Sequence, residues 1–291
     1  MKIIFKTALI IIGLTITSFH VFSQKVIEPN DTPAEWSKSY KPFCIAGNLY
    51  YVGTYDLACY LITTNKGNIL INTGLANSLS IINNNIKALG FKVSDTKILL
   101  TTQAHYDHMG AMADFQKLTN ATVMMDKKDV KVAEDGGRSD YALGGNHSSY
   151  KPVKVNRLLN DGDMITLGNM KLKMLHHPGH TKGSCSYLFE VKDKNKVYKV
   201  LIANLPSIVT DKKFSDIPEY PQIENDYRNT LKKMKALSFD IWLASHASQF
   251  NLHTKHKENT PYNPKAFIDR KGYDESLNKL SLEFSKKIQD K

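Results

Sequence analysis

The chain has 291 residues, 42% of them hydrophobic and 23% charged, an ordinary globular mixture that fits one large domain or two small ones. Its formal charge of +11 comes from lysines scattered through loops and the C-terminal region, with no dense tract or interleaved aromatics. Such a charge fits solubility or small anions and argues against a nucleic-acid partner. Three cysteines, Cys44, Cys59 and Cys185, allow at most one bridge and exclude a disulfide-framework protein.

In chain order, Lys2 and Lys6 bracket a short basic start, and Thr7 to Phe22 is almost wholly apolar or hydroxylated. Val21 and Ser23 are small residues placed for cleavage before Gln24. This pattern predicts a secretory signal peptide over residues 1–23. The apolar run is shorter than the roughly 20 residues a membrane span needs, so no stable membrane anchor is expected. The mature protein, residues 24–291, is then a single domain outside the cytoplasm. There, Cys44 and Cys59, on neighbouring predicted strands, are a candidate disulfide pair.

Strand-like runs follow at Asn48 to Val52, Ala58 to Thr64 and Asn68 to Asn72, separated by Gly53 and the Asn65-Lys66-Gly67 turn. Leu75 to Leu89 reads as a helix, with Leu79, Ile82, Ile86 and Leu89 at helical spacing and Gly90 at its end. A buried strand, Lys97 to Thr102, precedes a helix with Ala111, Phe115 and Leu118 on one face, and Ala121 to Met125 is again a strand. Asp135 to Pro152, rich in Gly, Ser, Asn and Tyr, has no clear period and reads as a functional or mobile loop. Strands at Met164 to Leu175, Ser184 to Val191 and Val197 to Ala203 come next. They are followed by a helix at Ile223 to Leu237, a strand at Asp240 to Ala244 and a charged helix from Pro264 to Ile288. Strands followed by a helix occur twice, which predicts two similar halves packed sheet on sheet with helices outside.

Three clusters carry chemistry. In Thr101-Thr102-Gln103-Ala104-His105-Tyr106-Asp107-His108-Met109-Gly110, His105, Asp107 and His108 fall within four residues where an apolar strand ends. Imidazole nitrogens and carboxylate oxygens are ligands that zinc accepts. His176-His177-Pro178-Gly179-His180-Thr181-Lys182-Gly183 follows another strand, and Pro178 and Gly179 aim His180. Trp242-Leu243-Ala244-Ser245-His246 ends a third strand in a histidine. All three clusters sit at the C-terminal ends of strands, where grafted sites gather. His147, His253 and His256 lie in polar stretches and read as surface residues.

These motifs, in this order and over most of the mature chain, resemble those of the metallo-β-lactamase superfamily. The resemblance implies an α/β fold, a four-layer αββα sandwich of two similar halves with a two-zinc cleft at one edge. It also implies that Gln103, His105 and His180 bind the first zinc and that Asp107, His108 and His246 bind the second. Many hydrolases of this fold carry a bridging aspartate, or a cysteine, where this chain has Asn204 and Leu205. Use of His108 instead is similar to the B3 subclass of β-lactamases. Gln103 stands where the family has histidine, as in a glutamine-bearing branch of that subclass. An amide oxygen is a poorer zinc donor than imidazole, so one or two zinc ions per chain are expected, with the Gln103 site the weaker. Asn72 stands for an aspartate with a supporting role, and little loss is expected from the exchange.

The resemblance further implies a periplasmic, monomeric β-lactamase that confers resistance by opening the lactam amide. Asp107 would be the catalytic residue that orients water, and Ser207 would contact the substrate carboxylate, with Lys212 or Lys213 assisting. The alternatives are a lactone, thioester or phosphodiester hydrolase of the same fold, or a secreted zinc-binding protein without turnover.

Overall fold

The computed structural model describes residues 25 to 289, so the expected signal peptide over residues 1–23 lies outside the described residues. Strands β1 (Phe43–Ala46), β2 (Leu49–Tyr51), β3 (Tyr60–Thr64), β4 (Gly67–Ile71), β5 (Thr96–Leu100), β6 (Thr122–Asp126) and β7 (Arg157–Leu159) form a seven-stranded sheet, each beside its sequence neighbour. Strands β8 (Met164–Leu167), β9 (Met170–His176), β10 (Cys185–Asp193), β11 (Lys196–Ala203) and β12 (Ile241–Ala244) form a five-stranded sheet in the same manner. The helices are α1 (Ser78–Ala88), α2 (Tyr106–Met109), α3 (Met112–Thr119), α4 (Val130–Glu134), α5 (Ile223–Lys235), α6 (Leu252–Lys255) and α7 (Arg270–Gln289).

The two halves repeat one unit. The β3–β4 antiparallel hairpin leads through α1 to β5, which lies parallel to β4. The β10–β11 hairpin leads through α5 to β12, which lies parallel to β11. Successive strand residues face opposite ways. Thus Ile62, Ile69 and Ile71 join Leu172, Met174, Tyr187 and Ile202 in the core between the sheets. Their neighbours Leu61 and Leu70 pack outward with Ile82, Ile86, Met112 and Phe115 of α1 and α3. Burying each such side chain contributes roughly 1.5–3 kcal/mol before ordering entropy is counted. On the other side, α5 turns Ile223, Tyr227, Leu231 and Met234 inward, and α7 does the same with Tyr273, Leu277 and Phe284. The acidic first turn of α5 (Glu224, Asp226) and its basic last turn (Lys232, Lys233, Lys235) suit the helix dipole.

Several expectations are corrected. Met164 to Leu175 is two strands, because Gly168, in the left-handed region at φ 55°, turns β8 into β9. The C-terminal helix is preceded by a separate 3-10 turn, Pro264–Phe267, and Asp269 Oδ1 accepts the Gly272 N–H at 2.9 Å as α7 opens. Ala111 and Phe115 of the expected helix face are buried, but Leu118 sits in the last turn of α3 and is 55% exposed, and Met112 joins the buried side in its place. Cys44 lies on a strand, β1, as expected, whereas β7 has no counterpart among the expected elements. Cys44, Cys59 and Cys185 are all free thiols. β2 lies between β1, which bears Cys44, and the start of β3 beside Cys59, which separates those two thiols by two strand spacings. His253 and His256 are half-buried rather than exposed, stacked on Tyr55 and Phe43 with ring centroids 3.8 and 3.6 Å apart.

Candidate metal centre

β5 delivers the chain to the first histidine cluster, and Asn72 holds the turn that follows. In the left-handed region itself (φ 61°), Asn72 accepts the Thr102 N–H at 2.9 Å and the Thr102 hydroxyl at 3.2 Å. An aspartate would offer the same acceptor, and the amide adds a donor to Ala58 O at 3.4 Å. Thr73 then pins α2 by donating its N–H and its hydroxyl to His108 O at 2.9 and 3.0 Å.

The second cluster is pressed onto α5. Gly179 adopts φ 132°, and a Cβ there would lie 2.9 Å from the Tyr227 ring, so glycine is required. Thr230 donates to Pro178 O at 2.7 Å. His180 Nδ1 donates to Ser207 O at 2.8 Å, which puts the proton on that nitrogen and leaves Nε2 a lone pair. The third cluster ends β12, where Ser245 Oγ lies 2.9 Å from Thr102 Oγ1 and ties it to the first.

Gln103, His105, Asp107, His180 and His246 line one cavity of about 210 Å³ together with Asn204, Leu205 and Ser207. His108 is buried behind it, its ring centroid 5.1 Å from that of His246. The His105 and His180 rings are 4.9 Å apart. Asp107, His108 and His246 offer donor atoms within 4.8 Å of one another, a grouping that can hold a metal ion. A larger cavity, about 550 Å³ beside Phe214, Ile223 and Lys287, contains none of these groups, so volume alone does not mark the site.

The donor atoms are poorly satisfied by the protein. Gln103 Oε1 and His108 Nδ1 are buried without a hydrogen-bond partner, and His108 Nε2 and His105 Nε2 have none besides the neighbouring carboxylates. Leaving such an atom unpaired costs roughly 1–3 kcal/mol, a cost that a cation in the cleft would remove for Gln103 Oε1 and for one ring nitrogen of His108. His108 Nε2 and His246 Nε2 lie 3.2 and 3.3 Å from Asp107 Oδ2, and His105 Nε2 lies 3.4 Å from Asp140 Oδ2.

Charge is distributed unevenly. Burial works against the Asp107 carboxylate, but His108 and His246 outweigh it and hold its pKa well below the usual range. Burial would likewise lower His246, yet Asp107 and Asp56 push it up to about 9. Burial, aided by the nearby His105, drops His180 to about 3, and burial also lowers His108. Burial raises Asp140 less than His105 and the Leu143 and Ala142 N–H groups lower it, to about 2.

The six residues expected as ligands therefore converge, and Ser207 lies at the cavity wall with its Oγ 3.1 Å from His180 Nδ1. Lys212 and Lys213 are exposed and do not line this cavity. His176 is paired instead with Asp126, at 2.6 Å, and His177 with Ser186 Oγ, at 2.8 Å. Sequence reasoning missed Asp56, Asp140 and Trp36. Asp56 Oδ2 lies 3.2 Å from His246 Nδ1 and accepts the Trp36 Nε1–H at 3.2 Å, and the Trp36 ring stands 5.4 Å from His246. Asp140 belongs to the Asp135 to Pro152 loop, whose composition was the one available signal.

With this geometry in hand, similarity to known proteins identifies the lineage. Residues 53–193 match the family model of the metallo-β-lactamase superfamily. A solved structure of the metallo-β-lactamase GOB-18 from Elizabethkingia meningoseptica is 56% identical, covering 92% of this chain and 100% of that one, with TM-score 0.91. The class B3 di-zinc metallo-β-lactamase LRA-12 from an Alaskan soil metagenome is 63% identical, covering 90% and 100%, with TM-score 0.89. Among curated relatives, the chicken acyl-coenzyme A thioesterase MBLAC2 is 27% identical over 103 residues, 30% of this chain and 35% of that protein. The chain thus spans only about a third to a half of the first curated relatives it matches. The chain belongs to the metallo-β-lactamase superfamily.

Proposed function

We propose that the protein is an exported zinc β-lactamase of the B3 type, in the branch with glutamine at the first ligand position. Gln103, His105 and His180 hold one zinc in this reading, and Asp107, His108 and His246 hold the other. The observation that carries it is the gathering of five of these side chains around one cleft, with His108 behind it offering a donor atom within 4.8 Å of those of Asp107 and His246, and with Gln103 Oε1 buried and unpaired. The substrate class rests on similarity above 50% identity along the whole length of proteins described as metallo-β-lactamases.

Bound zinc would supply Lewis-acid polarisation and would lower the pKa of water in the site to about 7. The chain's own residues supply orientation. Asp107, ionised and set between His108 and His246, keeps a carboxylate at the cavity wall to orient water. Asp56 holds His246 by its far nitrogen, and Ser207 O holds His180 the same way, so both rings present one fixed nitrogen. The Ser207 hydroxyl is the proposed contact for a substrate carboxylate. Trp36, Leu143 and Val209 add apolar wall against the remainder of the ligand. Export to the periplasm rests on the pattern in residues 1–23, and among the described residues no helix is long and apolar enough to cross a membrane. We take the enzyme to act as a monomer.

The test is hydrolysis of a chromogenic cephalosporin and a carbapenem by the purified protein, with EDTA and with zinc restored. Turnover that vanishes with the chelator and returns with zinc is the expected result. The thioesterase relative makes a thioester the leading rival substrate. An acyl-CoA or a homoserine lactone turned over in place of the lactams overturns the substrate class and leaves the metal centre intact.

A further inference from the structure

Asp129 precedes α4 and is 1% exposed. At that position its ordinary role would be a helix cap, but its side chain makes no capping hydrogen bond to α4. Its carboxylate instead accepts from the two turns that carry the neutral donor set. Oδ2 takes the Ala104 N–H at 3.0 Å and the Thr181 hydroxyl at 2.6 Å, and Oδ1 takes the Gly183 N–H at 2.6 Å. Ala104 lies between Gln103 and His105, and Thr181 follows His180. The Ala104 peptide is held from its other end as well, where the buried Tyr150 hydroxyl donates to Ala104 O at 2.8 Å. Gly183 makes the approach feasible, since a Cβ there would stand 2.6 Å from the Asp129 nitrogen and 2.7 Å from its side-chain carbons.

We infer that Asp129 is the positioning residue of the Gln103–His105–His180 site, one acceptor that sets the spacing of the two turns across which that site is split. The inference rests on the ligand assignment proposed above. Those three ligands carry no negative charge, and one is a weak amide donor. Their hold on a dication therefore depends on arriving already arranged, which is what outer hydrogen bonds provide. The Asp107–His108–His246 set has a charged ligand of its own and makes no hydrogen bond to Asp129. Asp126, three residues earlier and equally buried, is an internal control, because its hydrogen bonds go to Lys128 and His176.

The test is a zinc titration of the purified full chain against a chromophoric chelator, paired with absorption spectra of the cobalt-substituted protein, on wild type and variants. Asp129→Asn turns an amide NH2 toward at least one of the three donors. The first-site binding constant should weaken roughly 10- to 100-fold, the range for lost outer-shell partners, with the second-site constant unmoved. In a Gln103→Ala background the same change should still weaken whatever first-site binding His105 and His180 retain and leave the second site alone, and Asp126→Asn should leave both constants alone. Thr181→Val, which removes one donor, should weaken the first site by about tenfold and serves if Asp129→Asn does not fold. Equal weakening of both sites by Asp129→Asn, the same loss in Asp126→Asn, or no change at all overturns the inference while the ligand assignment stands. A wild type whose titration matches that of Gln103→Ala overturns the assignment itself, and this inference with it.

Discussion

The two sides of the cleft solve one problem differently. Asp107, His108 and His246 bring their own negative charge, lie within 4.8 Å of one another and come mostly from one short helix, α2. Gln103, His105 and His180 bring none and come from two turns on opposite sheets, with Asp140 and Asp129 placed behind them. A cation is drawn to the first group by Coulomb attraction in a buried setting, where the effective dielectric is low. The second group must rely on scaffold geometry. Under the proposed assignment, the difference teaches that ligand charge should set affinity on the Asp107 side and the supporting hydrogen bonds on the neutral side.

Predictions that break or sharpen this contrast run from large to small. Chelation should abolish hydrolysis, and zinc titrated back should fill the Asp107 side first; filling in the opposite order would reverse the contrast. Asp107→Asn should lower kcat/KM by about 10²-fold or more through loss of the group that orients water, and steady-state kinetics at saturating zinc would read it. A loss confined to metal binding, with full turnover once zinc is saturating, would limit Asp107 to a ligand. Asp56→Ala frees His246 Nδ1 and should cost roughly 10- to 100-fold in second-site affinity with the first site unchanged, measured by chelator competition. The smallest effect belongs to Gln103→His. It should raise first-site zinc content more than it raises turnover, and a large jump in turnover would show that the weak site limits the wild-type enzyme.

The proposed ligand set was legible in the chain because each cluster closes a strand whose apolar run is itself legible. His105, Asp107 and His108 follow β5, His180 follows β9, and His246 follows β12. The repeated order of strands followed by a helix was readable for the same reason, since β4, β11 and β12 are apolar runs buried along most of their length and the helices carry apolar residues at helical spacing. Gly168 and the approach to α7 misled the reading because a turn inside an apolar run, or before a charged one, changes direction without changing composition. β7 is a short edge strand with little periodicity to detect.

The residues that support the site left no such trace. Asp56, Asp129 and Asp140 are ordinary loop or turn aspartates in the sequence, and Trp36 is a lone aromatic in a polar stretch. What the sequence by itself determined was the architecture of two similar halves and the chemical identity of the donors, because those depend on local periodicity and on residue type at strand ends. Only the tertiary structure decided which carboxylate backs which histidine, and that one turn aspartate joins the two turns of the neutral site. Those pairings join residues from 25 to 190 positions apart. Contacts across such separations are set by how sheets and helices pack, which no local pattern encodes.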